Sequence, residues 1–405
     1  LIEGGGVTTP QGFLAGACYV GVKSRKSEKP DVAIIYSEQP ASCAAMFTTN
    51  KFCAAPVILD REILKKGKAR AVVINSGNAN AATGTQGIED AKRVETEAEK
   101  LLNLGEDEVF VCSTGVIGQK LPVEKVLDGV RRIVPELSKD KGTDAAWAIM
   151  TTDTVRKEVA YEMELSGGTV RIGAMAKGSG MIHPNMATML LFITTDAAME
   201  PAVLQKALST VVPATFNQIS VDGDTSTNDT VMLLASGLAG NAPVAADSED
   251  YNTFLVALTQ VAETLCRELA GDGEGATKLL ECVVTGAPTL QVARDVSKSV
   301  IHSTLFKAAM FGADANWGRV LCAIGYTPGD FSIDKTSVRL KSVAGEVLVC
   351  ENAAHHIFSE EEAAKILKES EIQILVDLGC GDATAKAWGC DLTYDYVKIN
   401  GDYRT

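Results

Sequence analysis

The residues best suited to chemistry lie in one glycine-rich segment near the middle of the chain, residues 176–190. Glycines and Pro184 lead into the small residue Ala187, which is followed by Thr188 at the start of a predicted strand. Chemically, the Thr188 hydroxyl could attack the carbonyl carbon of Ala187, shift the acyl group from nitrogen to oxygen, and leave an ester that water opens. Cleavage would make Thr188 a new N-terminus, with an α-amine of ordinary pKa about 7.7–8.0 beside a hydroxyl nucleophile. An Ala-Thr pair entering a strand is more often ordinary packing, and the residues alone favour that interpretation.

Strands and helices mixed along the chain must position this segment. Runs rich in β-branched residues predict strands, which bury their side chains well on a pleated surface. These runs are 32–36, 71–74, 109–112, 158–165, 188–194, 230–234, 372–378 and 393–399.

Four helices are predicted between the strands. The first carries an apolar stripe that ends before Gly105, and Pro122 suits the first turn of the second. The third covers 254–269, and the fourth opens with Ser359 and Glu362 spaced as a capping box.

The connections indicate a layered α+β architecture, a sandwich of helices and sheets. The sequence Ser-Gly-Gly at 166–168 predicts a hairpin turn, whereas a purely doubly wound sheet would join its strands by helical crossovers. The small and acidic stretch 241–250 is a candidate subdomain break, and a loop inside one domain is an equally good interpretation.

Composition restricts the kind of partner. The chain has 38 Lys and Arg against 52 Asp and Glu, a net charge of −14, and no basic cluster. Phosphate binding depends on such clusters, so we expect no nucleic acid and favour small molecules. No apolar run, 189–193 among them, approaches the roughly 18 residues that a membrane span needs, so no membrane is expected either.

Cysteine and histidine usage argues against disulfides and metals. The ten cysteines form no C-x-x-C pair, which predicts reduced, mostly buried thiols and an intracellular compartment. With four histidines, two of them adjacent, a multi-histidine metal centre is not expected. The run 222–229 differs from a calcium loop at its glycine and closing glutamate positions, so we interpret it as side chains capping their own turns.

Familiar catalytic and nucleotide-binding motifs are missing. The chain contains no G-x-x-x-x-G-K-[ST], no G-x-G-x-x-G after a strand, no G-x-S-x-G and no H-E-x-x-H. Nucleotide binding, α/β-hydrolase chemistry and zincin chemistry are therefore not supported.

Several long motifs identify a family resemblance that covers residues 5–405. They are Phe-Thr-Thr-Asn at 47–50, Asn-Ser-Gly-Asn-Ala-Asn-Ala at 75–81, Ser-Thr-Gly-Val-Ile-Gly at 113–118, Met-Thr-Thr-Asp-Thr at 150–154, the segment around Thr188, Asp-Gly-Glu-Gly-Ala-Thr-Lys at 272–278, Asn-Trp-Gly-Arg at 316–319 and Ala-Trp-Gly-Cys-Asp-Leu at 387–392. With these motifs the chain resembles the glutamate N-acetyltransferase (ornithine acetyltransferase) family of arginine biosynthesis.

The resemblance implies a precursor that cleaves itself between Ala187 and Thr188. It implies an α chain of residues 1–187 and a β chain of residues 188–405, assembled as a heterotetramer of two α and two β chains. Thr188 would take the acetyl group of N2-acetylornithine and pass it to L-glutamate with no cofactor, and acetyl-CoA is a further donor in some members. The alternatives are a related self-processing amidase or aminopeptidase and an unprocessed, non-enzymatic binding protein.

The resemblance also implies roles for individual residues. Thr114 and Gly115 match an oxyanion hole, the donors that stabilise the negative oxygen of a tetrahedral intermediate. The positions that match substrate contacts are Thr151, Lys177, Thr188, Glu274, Asn400 and Thr405.

The compartment follows from the source of the protein. Cytoplasm is expected for a bacterial chain. A plastid or the mitochondrial matrix, after removal of a transit peptide, is the alternative, since the sequence begins at Leu1 rather than at a methionine.

Overall fold

The computed structural model describes residues 1–23, 29–183 and 189–402. It confirms the predicted layered α+β class, because helices pack on and between two mixed sheets. The strands are β1 Phe13–Cys18, β2 Val32–Phe47, β3 Lys68–Asn78, β4 Val109–Val116, β5 Lys157–Leu165, β6 Gly168–Lys177, β7 Leu190–Thr195, β8 Ile219–Ser220, β9 Thr230–Ala235, β10 Leu279–Ala287, β11 Ser337–Ser342, β12 Gly345–Glu351, β13 Ala354–His355, β14 Glu371–Asp377 and β15 Ala383–Cys390.

Helices alternate with these strands along the chain. They are α1 Ala55–Ile63, α2 Gly84–Leu102, α3 Val123–Ile133, α4 Gly142–Ile149, α5 Pro201–Val211, α6 Glu249–Gly271, α7 Leu290–His302, α8 Thr304–Phe311, α9 Trp317–Gly325, α10 Glu360–Leu367 and α11 Tyr394–Asp402. Across the described ranges, no helix has the length and apolar character that crossing a membrane requires.

The first sheet has the strand order β4-β3-β2-β9-β7-β6-β5, with β1 also paired to β2. The second has the order β13-β12-β11-β14-β10-β15-β8. Helix α6 lies between the two sheets, since its buried residues Phe254 and Leu258 share one core with Leu191 of β7 and Trp388 of β15.

Strand β7 lies inside the first sheet and is covered on both faces. Leu191 and Ile193 enter the core that α5 and α6 cover, whereas Leu190 and Phe192 enter the core that contains residues of α1 and α4. Alternating side chains of a strand point to opposite faces, so a strand covered on both sides has a continuous apolar sequence. Strand β7, which begins at Leu190, therefore lies in the middle of the molecule.

Most of the predicted elements are present with longer bounds. The hairpin at 166–168 joins β5 to β6, and α6 ends at Gly271. The predicted cap of α10 is confirmed, because the Ser359 hydroxyl accepts the Glu362 N–H at 3.3 Å. Residues 236–248 join β9 to α6, and a subdomain break at 241–250 stays a prediction.

Two helix ends differ slightly from the predictions. Helix α2 ends at Leu102 and not at Gly105, because Asn103 adopts the left-handed conformation, φ 55°, that terminates it. Helix α3 begins at Val123, so Pro122 stands just before the first turn.

The predicted strand at 393–399 is wrong, because this segment forms α11. The Thr393 hydroxyl accepts the Tyr396 N–H at 3.2 Å and donates to the carbonyl oxygen of Gly275 at 2.7 Å, so it caps the helix and fixes it to the preceding structure. The high strand propensity of the run is overridden by this cap.

All ten cysteines lie in described ranges and are free thiols, six of them buried. The burial of most of the thiols agrees with the prediction.

Candidate active site

One cavity of about 180 Å³ is lined by every predicted site residue that the structure describes. These residues are Thr114, Gly115, Thr151, Lys177, Glu274 and Asn400. Ala187, Thr188 and Thr405 lie outside the described residues. The cavity is also lined by Met181, so the glycine-rich segment around residue 180 reaches its wall.

Distant parts of the chain meet at this cavity. Thr114 and Gly115 lie near the end of β4, and Lys177 is the last residue of β6. Glu274 follows α6, and Asn400 lies in α11. The site is therefore built from both sides of the 187/188 junction.

Gly115 is required by close backbone packing. Its φ is +132°, and an added Cβ would lie 2.3 Å from the carbonyl carbon of Gly77 on the neighbouring strand β3. An L side chain has no room or conformation here. The backbone of Gly115 consequently approaches β3 closely at the cavity wall.

Lys177 is buried and holds two threonine side chains. Its Nζ donates to Thr114 Oγ1 at 3.2 Å and to Thr151 Oγ1 at 3.0 Å. Since an ammonium is only a donor, it occupies a lone pair of the Thr114 oxygen and leaves the hydroxyl proton of Thr114 free to point elsewhere.

The charge of Lys177 depends on its surroundings. Burial is the largest effect and lowers the pKa of Lys177, and the positive charge of Lys157 lowers it further. The carboxylate of Asp153 opposes both.

Glu274 is a buried carboxylate on the cavity wall. Its Oε2 accepts the Asn400 Nδ2 proton at 2.7 Å, and its backbone N–H donates to the Ser179 carbonyl oxygen at 3.0 Å. An added Cβ on Gly180 would lie 2.4 Å from this carboxyl group, so glycine at 180 leaves room for it. Glu274 thus connects the glycine-rich segment to helix α11.

Sequence analysis missed three charged residues behind the cavity, Asp153, Lys157 and Asp272. Lys157 Nζ lies 2.8 Å from Asp153 Oδ1 and 2.5 Å from Asp272 Oδ2. Asp153 and Asp272 stand inside two of the motifs that carry the family resemblance, and those motifs were the available signal.

Asp222 lines the cavity and is a further residue that sequence analysis did not assign to the site. Its carboxylate accepts the N–H groups of Met181 at 2.6 Å and Ile182 at 2.9 Å, and the Tyr396 hydroxyl at 3.3 Å. Burial and then the charge of Asp222 raise the pKa of Tyr396. Asp222 therefore fixes residues 181–182 and helix α11 together.

The predicted self-capping of the 222–229 run is also observed. The Asp224 N–H donates to Asp222 Oδ1 at 3.3 Å, and the Asn228 N–H donates to Ser226 Oγ at 3.2 Å. Asn228 Nδ2 also donates to the carbonyl oxygens of Ala79 at 2.6 Å and Ser113 at 2.8 Å, which fixes the ends of β3 and β4. Within the part of the chain that the structure describes, no group of His, Cys, Asp and Glu is arranged to hold a metal ion.

The comparison with known proteins decides the family. The ArgJ family model matches residues 14–405. The chain belongs to the ArgJ family. The arginine biosynthesis bifunctional protein ArgJ of Caldanaerobacter subterraneus subsp. tengcongensis is 52% identical over 401 residues, which cover 99% of this chain and 99% of that protein. The protein of the same name from Symbiobacterium thermophilum is 50% identical, with 99% of each chain covered.

Two similar solved structures each match about half of this chain. The arginine biosynthesis bifunctional protein argJ of Bacillus halodurans has a TM-score of 0.49 and 46% identity, covering 52% of this chain and 97% of that one. The ornithine acetyltransferase of Mycobacterium tuberculosis, complexed with ornithine, has a TM-score of 0.43 and 40% identity, covering 46% of this chain and 98% of that one.

Family membership confirms the resemblance found in the sequence. It also confirms the predictions that the chain is an acyltransferase and an enzyme of arginine biosynthesis. The roles of the individual cavity residues stay predictions.

Proposed function

We propose that this chain cleaves itself between Ala187 and Thr188 and then transfers the acetyl group of N2-acetylornithine to L-glutamate. The observation that carries the proposal is the single cavity lined by Thr114, Gly115 and Lys177 from the first part of the chain and by Glu274 and Asn400 from the second. The cavity therefore contains the groups that an acyl-transfer site needs: donors for an oxyanion, a cation and a carboxylate.

In the proposed first step, the α-amine of Thr188 takes the proton of its own hydroxyl, and the oxygen attacks the acetyl carbonyl carbon of N2-acetylornithine. The Thr114 hydroxyl and the Gly115 N–H donate to the oxyanion that develops. The bond to the ornithine α-nitrogen then breaks, and that nitrogen takes the proton from the Thr188 amine. Acetyl-Thr188 and ornithine result.

The second step reverses the first with a different amine. The α-amine of glutamate attacks acetyl-Thr188, the same two donors stabilise the oxyanion, and Thr188 recovers its proton as N-acetylglutamate leaves. The chemistry needs no cofactor. We further propose acetyl-CoA as a second donor, which agrees with the word bifunctional in the names of the relatives.

Lys177 and Glu274 provide opposite charges for the substrates. The Lys177 ammonium is suited to a substrate carboxylate, and the Glu274 carboxylate to the side-chain ammonium of ornithine. The acidic chain as a whole would repel glutamate, so binding depends on local cations such as Lys177.

The proposal extends to assembly and compartment. We propose a heterotetramer of two α chains, 1–187, and two β chains, 188–405. The relatives named above are bacterial, which favours the cytoplasm over a plastid or the mitochondrial matrix.

Substitution of Glu274 with glutamine should weaken donor binding. We expect the KM for N2-acetylornithine to rise about 10- to 100-fold, the range for a lost charge-assisted bond of about 1.5–3 kcal/mol, while the amide still accepts the bond from Asn400. Glu281→Gln is a matched control. Glu281 is also buried but bonds Trp388 and Arg267 away from the cavity, so its KM should not change. An equal KM in both variants would contradict the binding role of Glu274.

Tracing a labelled acetyl group tests the proposed reaction. We expect label from N2-acetylornithine to appear on glutamate, with ornithine released in equal amount. If label appears only as free acetate, water resolves the acyl-enzyme, and the chain is an amidase or aminopeptidase instead of a transferase.

A further inference from the structure

A fully buried lysine lies behind the cavity without lining it. Lys157 has 0% exposure, and its Nζ contacts Asp153 Oδ1 at 2.8 Å, Asp272 Oδ2 at 2.5 Å and the Val155 carbonyl oxygen at 3.4 Å. A buried ammonium is costly unless it is paired and hydrogen-bonded, and here it has two carboxylates: Asp153 lies close to Lys157 in sequence, and Asp272 lies 115 residues beyond it. Its position therefore links two parts of the chain.

The Asp153 side of this link reaches Lys177. Asp153 Oδ1 accepts the N–H of Gly178, the residue after Lys177, at 2.7 Å. Asp153 Oδ2 accepts the N–H of Thr151 at 3.0 Å. Asp153 therefore fixes the backbone at Lys177 and at one of the two threonines that Lys177 contacts.

The Asp272 side reaches Glu274. The Asp272 carbonyl oxygen accepts the Ser179 hydroxyl at 2.7 Å, and the Ser179 carbonyl oxygen accepts the Glu274 N–H at 3.0 Å. The Asp272 carboxylate also accepts the Thr154 N–H at 3.1 Å. Asp272 therefore fixes the backbone that carries Glu274.

We propose that Lys157 is a positioning residue that sets the separation of Lys177 and Glu274 and contributes a positive charge to the surroundings of Lys177. The proposal rests on the function proposed above, in which these two residues bind opposite ends of the donor. Negative and positive charges alternate along the path Asp272, Lys157, Asp153 and Lys177. Each of the two carboxylates contacts the Lys157 ammonium and also accepts a backbone N–H: Asp153 from Gly178, and Asp272 from Thr154.

The electrostatic part of the proposal has a definite sign. Loss of the positive charge at 157 raises the pKa of Lys177, because it removes a charge that disfavours the ammonium. The other charged groups that act on Lys177 stay in place; they are Asp153, Asp229, Glu274 and Lys23. A Lys177 that stays protonated to higher pH keeps its affinity for a carboxylate to higher pH.

Lys157→Met tests both parts. We expect kcat/KM for N2-acetylornithine to fall about 100-fold, mainly through KM, because the two charges that bind the donor lose their fixed separation. We also expect the alkaline limb of the pH profile of kcat/KM to move to higher pH. Lys157→Arg keeps the charge and should restore the wild-type position of that limb.

A matched control distinguishes the loss of a positioning residue from the general effect of removing a buried lysine. Lys278 is also buried, and its Nζ bonds the Met310 carbonyl oxygen outside the cavity. Lys278→Met should lower the thermal midpoint without moving the alkaline limb. Removing one partner of a buried pair destabilises a protein, so Lys157→Met/Asp272→Asn, which removes one charge of each sign, provides a second variant. Its shift should be smaller but in the same direction, because Lys157 acts more strongly than Asp272 on the pKa of Lys177.

The outcomes distinguish this inference from the function on which it rests. A wild-type chain that makes no acetylglutamate would contradict the proposed function itself. A wild-type chain that transfers acetyl, with an alkaline limb unchanged by Lys157→Met or by the double substitution, would overturn the role of Lys157 and leave the proposed function in place.

Discussion

A Thr188→Ala chain is expected to run as one full-length band on a denaturing gel and to transfer no acetyl group. The wild-type chain should give two fragments, of 187 and 405 − 187 = 218 residues, and N-terminal sequencing of the longer one should begin at Thr188. Alanine has no hydroxyl, so both the shift that opens the 187/188 bond and the later acyl transfer lose their nucleophile. We expect activity to fall by at least about 10⁴-fold, in line with removal of other catalytic nucleophiles.

Thr188→Ser is the matched control for this prediction. It keeps a hydroxyl and an α-amine at the same position, so cleavage and measurable transfer should persist. An uncleaved wild-type chain with full activity would refute the mechanism, as would a Thr188→Ala chain that still cuts between 187 and 188.

Thr114→Ala is expected to lower kcat by about 10²- to 10³-fold with little change in KM, the loss typical of one oxyanion donor. The physical reason is the contact from Lys177, which donates to the Thr114 oxygen and leaves the Thr114 proton to meet the oxyanion. An interaction made only in the transition state changes kcat and leaves substrate binding intact. Steady-state kinetics with N2-acetylornithine and glutamate measures both constants.

Two variants control the Thr114 prediction. Thr114→Ser keeps the hydroxyl and should retain most of the rate. Thr151→Ala removes the other hydroxyl that Lys177 contacts, and as a predicted substrate contact it should act mainly on KM. Equal losses of kcat in Thr114→Ala and Thr151→Ala would show that Thr114 acts only by holding Lys177.

Sequence patterns predicted those helices and strands that are determined by a few neighbouring residues, such as a β-branched run or a helix cap. The β-branched runs at 32–36 and 230–234 fall inside strands β2 and β9, and Ser359 caps α10 as its spacing indicates. The run at 393–399 fails because its state depends on Thr393 bonding Gly275, more than 100 residues away. Strand propensity cannot anticipate such a tertiary contact.

The cavity residues were predictable only through the family motifs. Taken alone, Lys177 in a glycine-rich segment or Glu274 in an acidic turn is typical of solvated surface charge, yet both are buried here. Lys157 was missed for the same reason, because its two partners meet it through the fold and no local spacing indicates the contact. The motifs contain Asp153 and Asp272, and only the fold shows that Lys157 joins them.

Intact-mass measurement of the acyl-enzyme tests the central claim most directly. The protein is mixed briefly with N2-acetylornithine in the absence of glutamate, the reaction is quenched with acid, and the mass of each fragment is measured by mass spectrometry. We predict that the fragment beginning at Thr188 gains the mass of one acetyl group, that the fragment 1–187 gains nothing, and that added glutamate removes the acetyl group. An acetyl group on fragment 1–187, or acetyl transfer by a chain that is still full length and carries no acetyl group, would contradict the account.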